Sequence, residues 1–213
     1  DLAGVVKYGY NDLRPSLERA SARETAARVA VGAICQQLLA EFGIKVGGYV
    51  KSIGAVEAEI DSKMNLALRS EKAEENEVRC PDVASAQKMV EGIRATMLAK
   101  DTLGGVIEIF ATGLPVGLGS HVQWDRRLEA KLAAAVMSVQ AMKGVEIGPA
   151  FENARARGTQ VQDQIYLEDE QLVRKTNRAG GIEGGMTNGE PIIIRAAMKP
   201  IASTLTPQKT VDL

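Results

Sequence analysis

The chain has 213 residues, 45% of them hydrophobic and 25% charged, with a formal net charge of −1. That length suffices for one well-cored domain, and so even a balance offers neither a basic field for nucleic acid nor an acidic tail for a basic partner. No apolar run reaches the roughly 18 residues that span a bilayer, no signal peptide is visible, and three Phe, four Tyr and one Trp are too few for a base-stacking platform.

The sequence opens at Asp1 without a methionine and stops abruptly at Val211-Asp212-Leu213. We read it as an internal fragment forming a single domain, 1–213. Ser21-Ala22-Arg23-Glu24 matches a capping box, Ser21 capping the backbone and Glu24 reaching back. Ala26, Val29, Ala30, Ala33, Ile34 and Leu38 then recur at helical spacing, and Gly43 is the expected stop. Cys35 falls within this apolar helix and reads as a buried free thiol. With no CxxC or metal-ligand spacing between Cys35 and Cys80, a reducing, cytoplasmic setting is expected. Ile44 to Ile53 reads as a strand with a bulge at Gly47-Gly48, and Glu71 to Glu77 as a solvated run.

Pro81-Asp82 opens a second helix with Met89, Val90, Ile93 and Met97 on one face. Leu103 to Thr112 is strand-like, and Gly113 to Gly119 is a loop. Asp125 is expected to cap a third helix striped by Leu128, Leu132, Ala135, Val136 and Val139, with Gly144 as its stop and Val145-Glu146-Ile147 as a short strand. Gln162 to Thr176 reads as a flap or a hairpin. The strands lack the long Val/Ile runs of a buried parallel sheet, so the fold class is α+β, antiparallel sheets layered with helices.

Gly180 to Pro200 carries two Gly-Gly pairs and Asn188-Gly189 before a strand-like run ending in Lys199-Pro200. Such density suits either an ordinary turn before a hairpin strand or a close backbone approach to a ligand. Arg14, Arg19, Arg23 and Arg28 gather about the start of the first helix, either as a solvated helix entrance or as a clamp for phosphate or carboxylate. His121, the one histidine, has no carboxylate or nucleophile in a recognisable relation to it and reads as a loop residue. A protein-built metal site is not expected.

These segments, in this order, resemble the chorismate synthase family. The anchors are Ala20–Ala26 (ASARETA), Asp101–Val106 (DTLGGV), Gly113–Gly119 (GLPVGLG), Met137–Gly148 (MSVQAMKGVEIG) and Gly180–Pro200. The resemblance implies conversion of 5-enolpyruvylshikimate 3-phosphate to chorismate by anti-1,4-elimination. It also implies a requirement for reduced FMN without net redox change, helices placed between antiparallel sheets, and a homotetramer. Whether the flavin is reduced on the enzyme, with NADP, or by a separate flavin reductase stays open.

Matched residue by residue, the family's flavin-binding Arg-Ser-Ser becomes Arg19-Ala20-Ser21, one hydroxyl fewer at Ala20. Arg23 matches a substrate-binding arginine, Gln140-Ala141 a flavin-contacting pair, and Gly184 a glycine that approaches the flavin. Lys199, Pro200, Ile201, Ala202 and Ser203 match its Lys-Pro-x-x-Ser/Thr segment, so that Gly184 and Lys199 are expected in one wall of the flavin pocket. The family's two catalytic histidines lie in Glu-Ser-His-Gly and Arg-Pro-Gly-His-Ala motifs that these 213 residues do not contain. No catalytic residue is therefore assigned, and the chain alone is expected to be inactive. A non-catalytic, self-associating core that binds flavin or anions is the other reading.

Overall fold

The structure, a computed structural model, describes residues 2–61 and 63–209. The two chain ends singled out above, Asp1 and residues 211–213, lie outside them. Two short helices, α1 (Leu2–Tyr8) and α2 (Arg14–Ala20), precede a 3-10 turn at Ala22–Glu24 and the long helix α3 (Thr25–Glu41). Next come β1 (Lys45–Ile53), β2 (Val56–Glu57), α4 (Leu66–Ala73), α5 (Val83–Leu98) and β3 (Gly105–Thr112). A second 3-10 turn, Trp124–Arg126, leads into α6 (Leu128–Met137) and β4 (Met142–Ile147). Two single-turn helices follow, α7 (Ala150–Asn153) and α8 (Gly158–Val161), then the hairpins β5 (Ile165–Glu168) with β6 (Gln171–Arg174) and β7 (Ile182–Glu183) with β8 (Met186–Thr187). The last strand is β9 (Ile192–Met198).

Five strands form one fully antiparallel sheet in the order β2-β1-β3-β9-β4. Because side chains alternate along a strand, the register assigns two different faces. Ile192 and Ile194 of β9 stand beside Ala111 and Ile109 of β3, and Leu128, Leu132 and Val136 of α6 cover that aliphatic face. Ile193 stands beside Phe110 on the opposite face, where Ala73 and Leu66 of α4 pack against Tyr49 and Phe110. A third cluster, Ala58, Val78, Cys80, Ala86 and Met89, seats α5 against the β1–β2 end. The α+β class with antiparallel sheets and packed helices therefore holds, and the segment at Gln162–Thr176 is a hairpin.

Several local expectations give way. Ser21 does cap, accepting from the Arg23 N–H at 3.3 Å, but Glu24 does not reach back: its carboxylate accepts from Arg28 at 3.0 Å and from Gln140. The capping box is thus half made, because the acid instead meets Arg28, one turn on in α3, and Gln140 from the α6–β4 connection. Cys35 is exposed, not buried, since α3 buries none of its residues. The bulge in β1 falls between Val50 and Ser52, not at Gly47-Gly48. Those glycines stay in register, where a Cβ on Gly47 would sit 2.5 Å from the Phe110 ring.

The polar run at Glu71–Glu77 is partly helical: Asn65 caps α4 by accepting from the Leu68 N–H at 2.8 Å, and Ala73 is fully buried. Asp125 belongs to a 3-10 turn and caps nothing, with Arg127 at the N-cap of α6. Gly144 lies inside β4; α6 ends at Met137. Ala141, at a φ of 67°, makes the sharp reversal between them.

Candidate flavin site

The residues matched to a flavin site fall into two groups. Arg19 and Ala20 close α2, Ser21 and Arg23 form the step into α3, and this step meets the α6–β4 connection. Arg28, one turn into α3, donates to the Ser138 hydroxyl at 2.9 Å and the Ser138 carbonyl at 3.3 Å. Gln140 donates its amide N–H to Glu24. Ala141 then accepts from the Lys199 N–H at 3.0 Å. One chain of contacts thus joins the α3 entrance, Gln140-Ala141 and the start of the Lys199–Ser203 segment.

Lys199 to Ser203 is held from the other side by the DTLGG stretch. Thr102 donates its hydroxyl to the Ile201 carbonyl at 2.7 Å, and a Cβ on Gly104 would stand 2.4 Å from the Met198 carbonyl oxygen and 2.9 Å from the Pro200 nitrogen. Pro200 and Ala202 continue this loop, with the Ala202 carbonyl accepting from Thr204 at 2.9 Å, and Ser203 lies between them. Ile201 and Met198 also line an apolar cavity of about 370 Å³ with Ile53, Ile93, Leu103 and Met142.

Electrostatics in this cluster favour an anion. Hydrogen bonds from Gln140 first and Arg28 second hold the Glu24 carboxyl below the usual carboxylate range, with Arg19 contributing through its charge. Among the described residues Arg19 and Lys199 pair with no carboxylate, while Arg23 pairs with Glu18 at an exposed position. Exposed ion pairs are weak, so an anionic ligand can take Glu18's place. Gln140 Oε1 is covered and has no donor, a state that costs free energy until a donor is provided. Two unpaired cations and an orphaned acceptor suit a phosphate-bearing ligand with hydrogen-bond donors, and FMN has that donor set.

Gly184 is elsewhere. It occupies the β7–β8 turn at a φ of 57°, with nothing within 4 Å of where its Cβ would be. That turn lies by the Ile192 end of β9, and Lys199 follows the Met198 end. Seven residues of strand put about 20 Å between them, so within one chain Gly184 and Lys199 do not share a wall. The first Gly-Gly pair serves packing, since a Cβ on Gly181 would sit 2.4 Å from the Pro191 carbonyl oxygen. Among the glycines of 180–189, Gly184 alone has an open face of the kind a close ligand approach needs. His121 sits exposed in its loop.

One polar constellation escaped the reading of the sequence. Tyr49, Glu108, Arg195 and Glu146 stand side by side across β1, β3, β9 and β4. Glu108 is 4% exposed and accepts from Arg195 at 2.6 Å and from the Tyr49 hydroxyl. Arg69 of α4 donates to the Tyr49 oxygen at 3.1 Å, and Arg195 also faces Glu146 at 3.5 Å. Burial first, and Glu108 second, push the Tyr49 hydroxyl up to about 12. The available signal was a single charge inside each of two apolar strands, Glu108 in VIEIF and Arg195 in IIIRAAM.

A family model for chorismate synthase matches residues 1–213. The chorismate synthase of Symbiobacterium thermophilum is 55% identical over 214 residues, covering 100% of this chain and 55% of that protein. That of Syntrophotalea carbinolica is 54% identical, covering 100% of this chain and 54% of its own length. A crystal structure of a chorismate synthase superposes with a TM-score of 0.89 at 50% identity, covering 94% of this chain and 62% of that one. The fold and these matches place the chain in a family of lyases. The chain belongs to the chorismate synthase family and spans about half the length of the curated relatives it matches.

Proposed function

We propose that the protein to which these residues belong converts 5-enolpyruvylshikimate 3-phosphate to chorismate and phosphate by anti-1,4-elimination, with reduced FMN as cofactor. The observation that carries this reading is the cluster joining the α3 entrance, Gln140-Ala141 and Lys199, which holds two unpaired cations in a chain of this family. Arg19 and Lys199 bind the flavin phosphate or other anionic edge, Gln140 orients it, and Ser21, Ala20 and Pro200 to Ser203 shape the backbone around it. Arg23 exchanges Glu18 for the anionic substrate. When bound, the reduced flavin supplies electron density to phosphate loss without net redox change. Gly184 belongs to this reading as an open glycine at the far end of β9, in contact with a ligand only if another part of the assembly brings one there.

The assembly is a homotetramer in this reading, in the cytoplasm, with flavin reduced either with NADP or by a separate flavin reductase. The decisive experiment uses the full-length protein, anaerobic, with substrate and reduced FMN. Chorismate should form, and Arg19→Ala and Lys199→Ala should each weaken FMN binding about tenfold, the worth of one charge-assisted contact. Unchanged FMN affinity in both variants would remove the basis of the site.

The family's two catalytic histidine motifs are not among these 213 residues. A positioned acid contributes about 10²–10⁴-fold, so purified 1–213 should form no detectable chorismate, and measurable turnover would overturn that expectation. The second reading, a self-associating core that binds flavin or anions without catalysis, is favoured by the apolar surface that α3 leaves uncovered. Sizing 1–213 with and without FMN separates the two.

A further inference from the structure

We propose that Glu24 and Arg28 are positioning residues of the flavin site, a clamp that sets Gln140 against the α3 entrance; the inference rests on the flavin reading above. Glu24 and Gln140 are 116 residues apart in sequence yet share a hydrogen bond. Arg28 completes the link: its Nε donates to Glu24 at 3.0 Å while its two terminal nitrogens reach the hydroxyl and carbonyl of Ser138 at 2.9 and 3.3 Å. One guanidinium thus grips the carboxylate that holds Gln140 and the backbone two residues before Gln140. The planar fork of arginine suits it to two directed contacts at once.

The clamp has a specific consequence for the amide of Gln140. A carboxylate only accepts hydrogen bonds, so it selects the Gln140 rotamer that turns Nε2 toward Glu24 and leaves Oε1 as the atom lacking a donor. Gln140 is thereby fixed as an acceptor toward any ligand in the cluster. Its neighbour Ala141 is anchored through the Lys199 N–H, so the same clamp carries the Lys199 segment into register with Arg19. As Glu24 and Arg28 are part-exposed, their contribution to stability is small, and their effect falls on ligand affinity.

The test is a double-mutant cycle read by FMN titration of the full-length protein, following the flavin absorbance shift. Glu24→Ala and Gln140→Leu should each raise the FMN dissociation constant about tenfold, and the double variant should be no weaker than either single variant. If Glu24→Ala does not fold, Arg28→Ala takes its place in the same cycle. A double variant whose losses multiply to about a hundredfold would mean that Glu24 acts independently of Gln140, overturning the clamp. So would an unchanged constant in Glu24→Ala while Lys199→Ala and Gln140→Leu weaken binding. If Lys199→Ala and Gln140→Leu also leave binding unchanged, the flavin reading fails and takes the clamp with it.

Discussion

Helices α3 and α5 are nearly the same length and both carry apolar residues at helical spacing, yet they end in opposite states. In α5, Asp82 caps the first turn and Ser85, Ala86 and Met89 are buried against β1 and β2. In α3 no residue is buried: Val29, Ile34 and Leu38 are 71, 67 and 61% exposed. Periodicity therefore reports that a helix forms and which face is apolar, but not whether a surface awaits that face. The sheet offers α5 a partner, whereas the described residues touch α3 at Arg28 near its start and at Gln36 near its end without burying any of it.

Substitutions followed by thermal unfolding of the 213-residue chain put this contrast to the test. The largest effect belongs to neither helix. Glu108→Ala leaves Arg195 with only the more distant Glu146 and the Tyr49 hydroxyl without its acceptor, and removing one partner of a buried charged pair costs about 3–5 kcal/mol. Next, Met89→Ala empties a fully buried site under α5 and should cost about 2–5 kcal/mol. A third test uses pH. Tyr49 in the fold keeps its proton up to about 12, against about 10 unfolded. The unfolded state thus releases it first, and stability present below about pH 10 falls as pH rises toward 12. Tyr49→Phe should flatten that alkaline slope. The smallest effect is expected at α3, where Ile34→Ala should change stability by no more than about 0.5 kcal/mol. A loss of several kcal/mol there would mean that the apolar face of α3 is covered, and would remove the contrast.

Much of the fold was legible because local rules decided it. The α3 run ending at Gly43, the helix opened at Pro81-Asp82 and the strand in 103–112 rest on neighbours in sequence, whereas the stretch 162–176 reads equally as a flap or a hairpin. Where local reading failed, a distant partner had won. Glu24 forgoes the capping box for Gln140, 116 residues away, together with Arg28 one turn along, and Cys35 is exposed because burial depends on what packs over a helix. In the candidate site, motif matching proposes Arg19, Gln140 and Lys199 but passes over Glu24 and Arg28, whose contacts appear only when residues 24 and 140 meet. The same limit explains Gly184: adjacency in a glycine-rich motif says nothing about the length of strand that then carries Lys199 away from it.

The strand order β2-β1-β3-β9-β4 has a consequence for how the chain is made. Among the described residues β9 comes last in sequence, yet it stands between β3 and β4. At roughly 5–20 residues per second during synthesis, β3 is finished several seconds before β9 emerges, and among the described strands β4 has no neighbour until then. Both must wait with open edges, a state prone to pairing with other chains. The sheet becomes one body only when Ile192–Met198 inserts, so folding has a late, long-range closing step. A nascent chain halted before residue 192 holds two halves of a sheet with nothing between them.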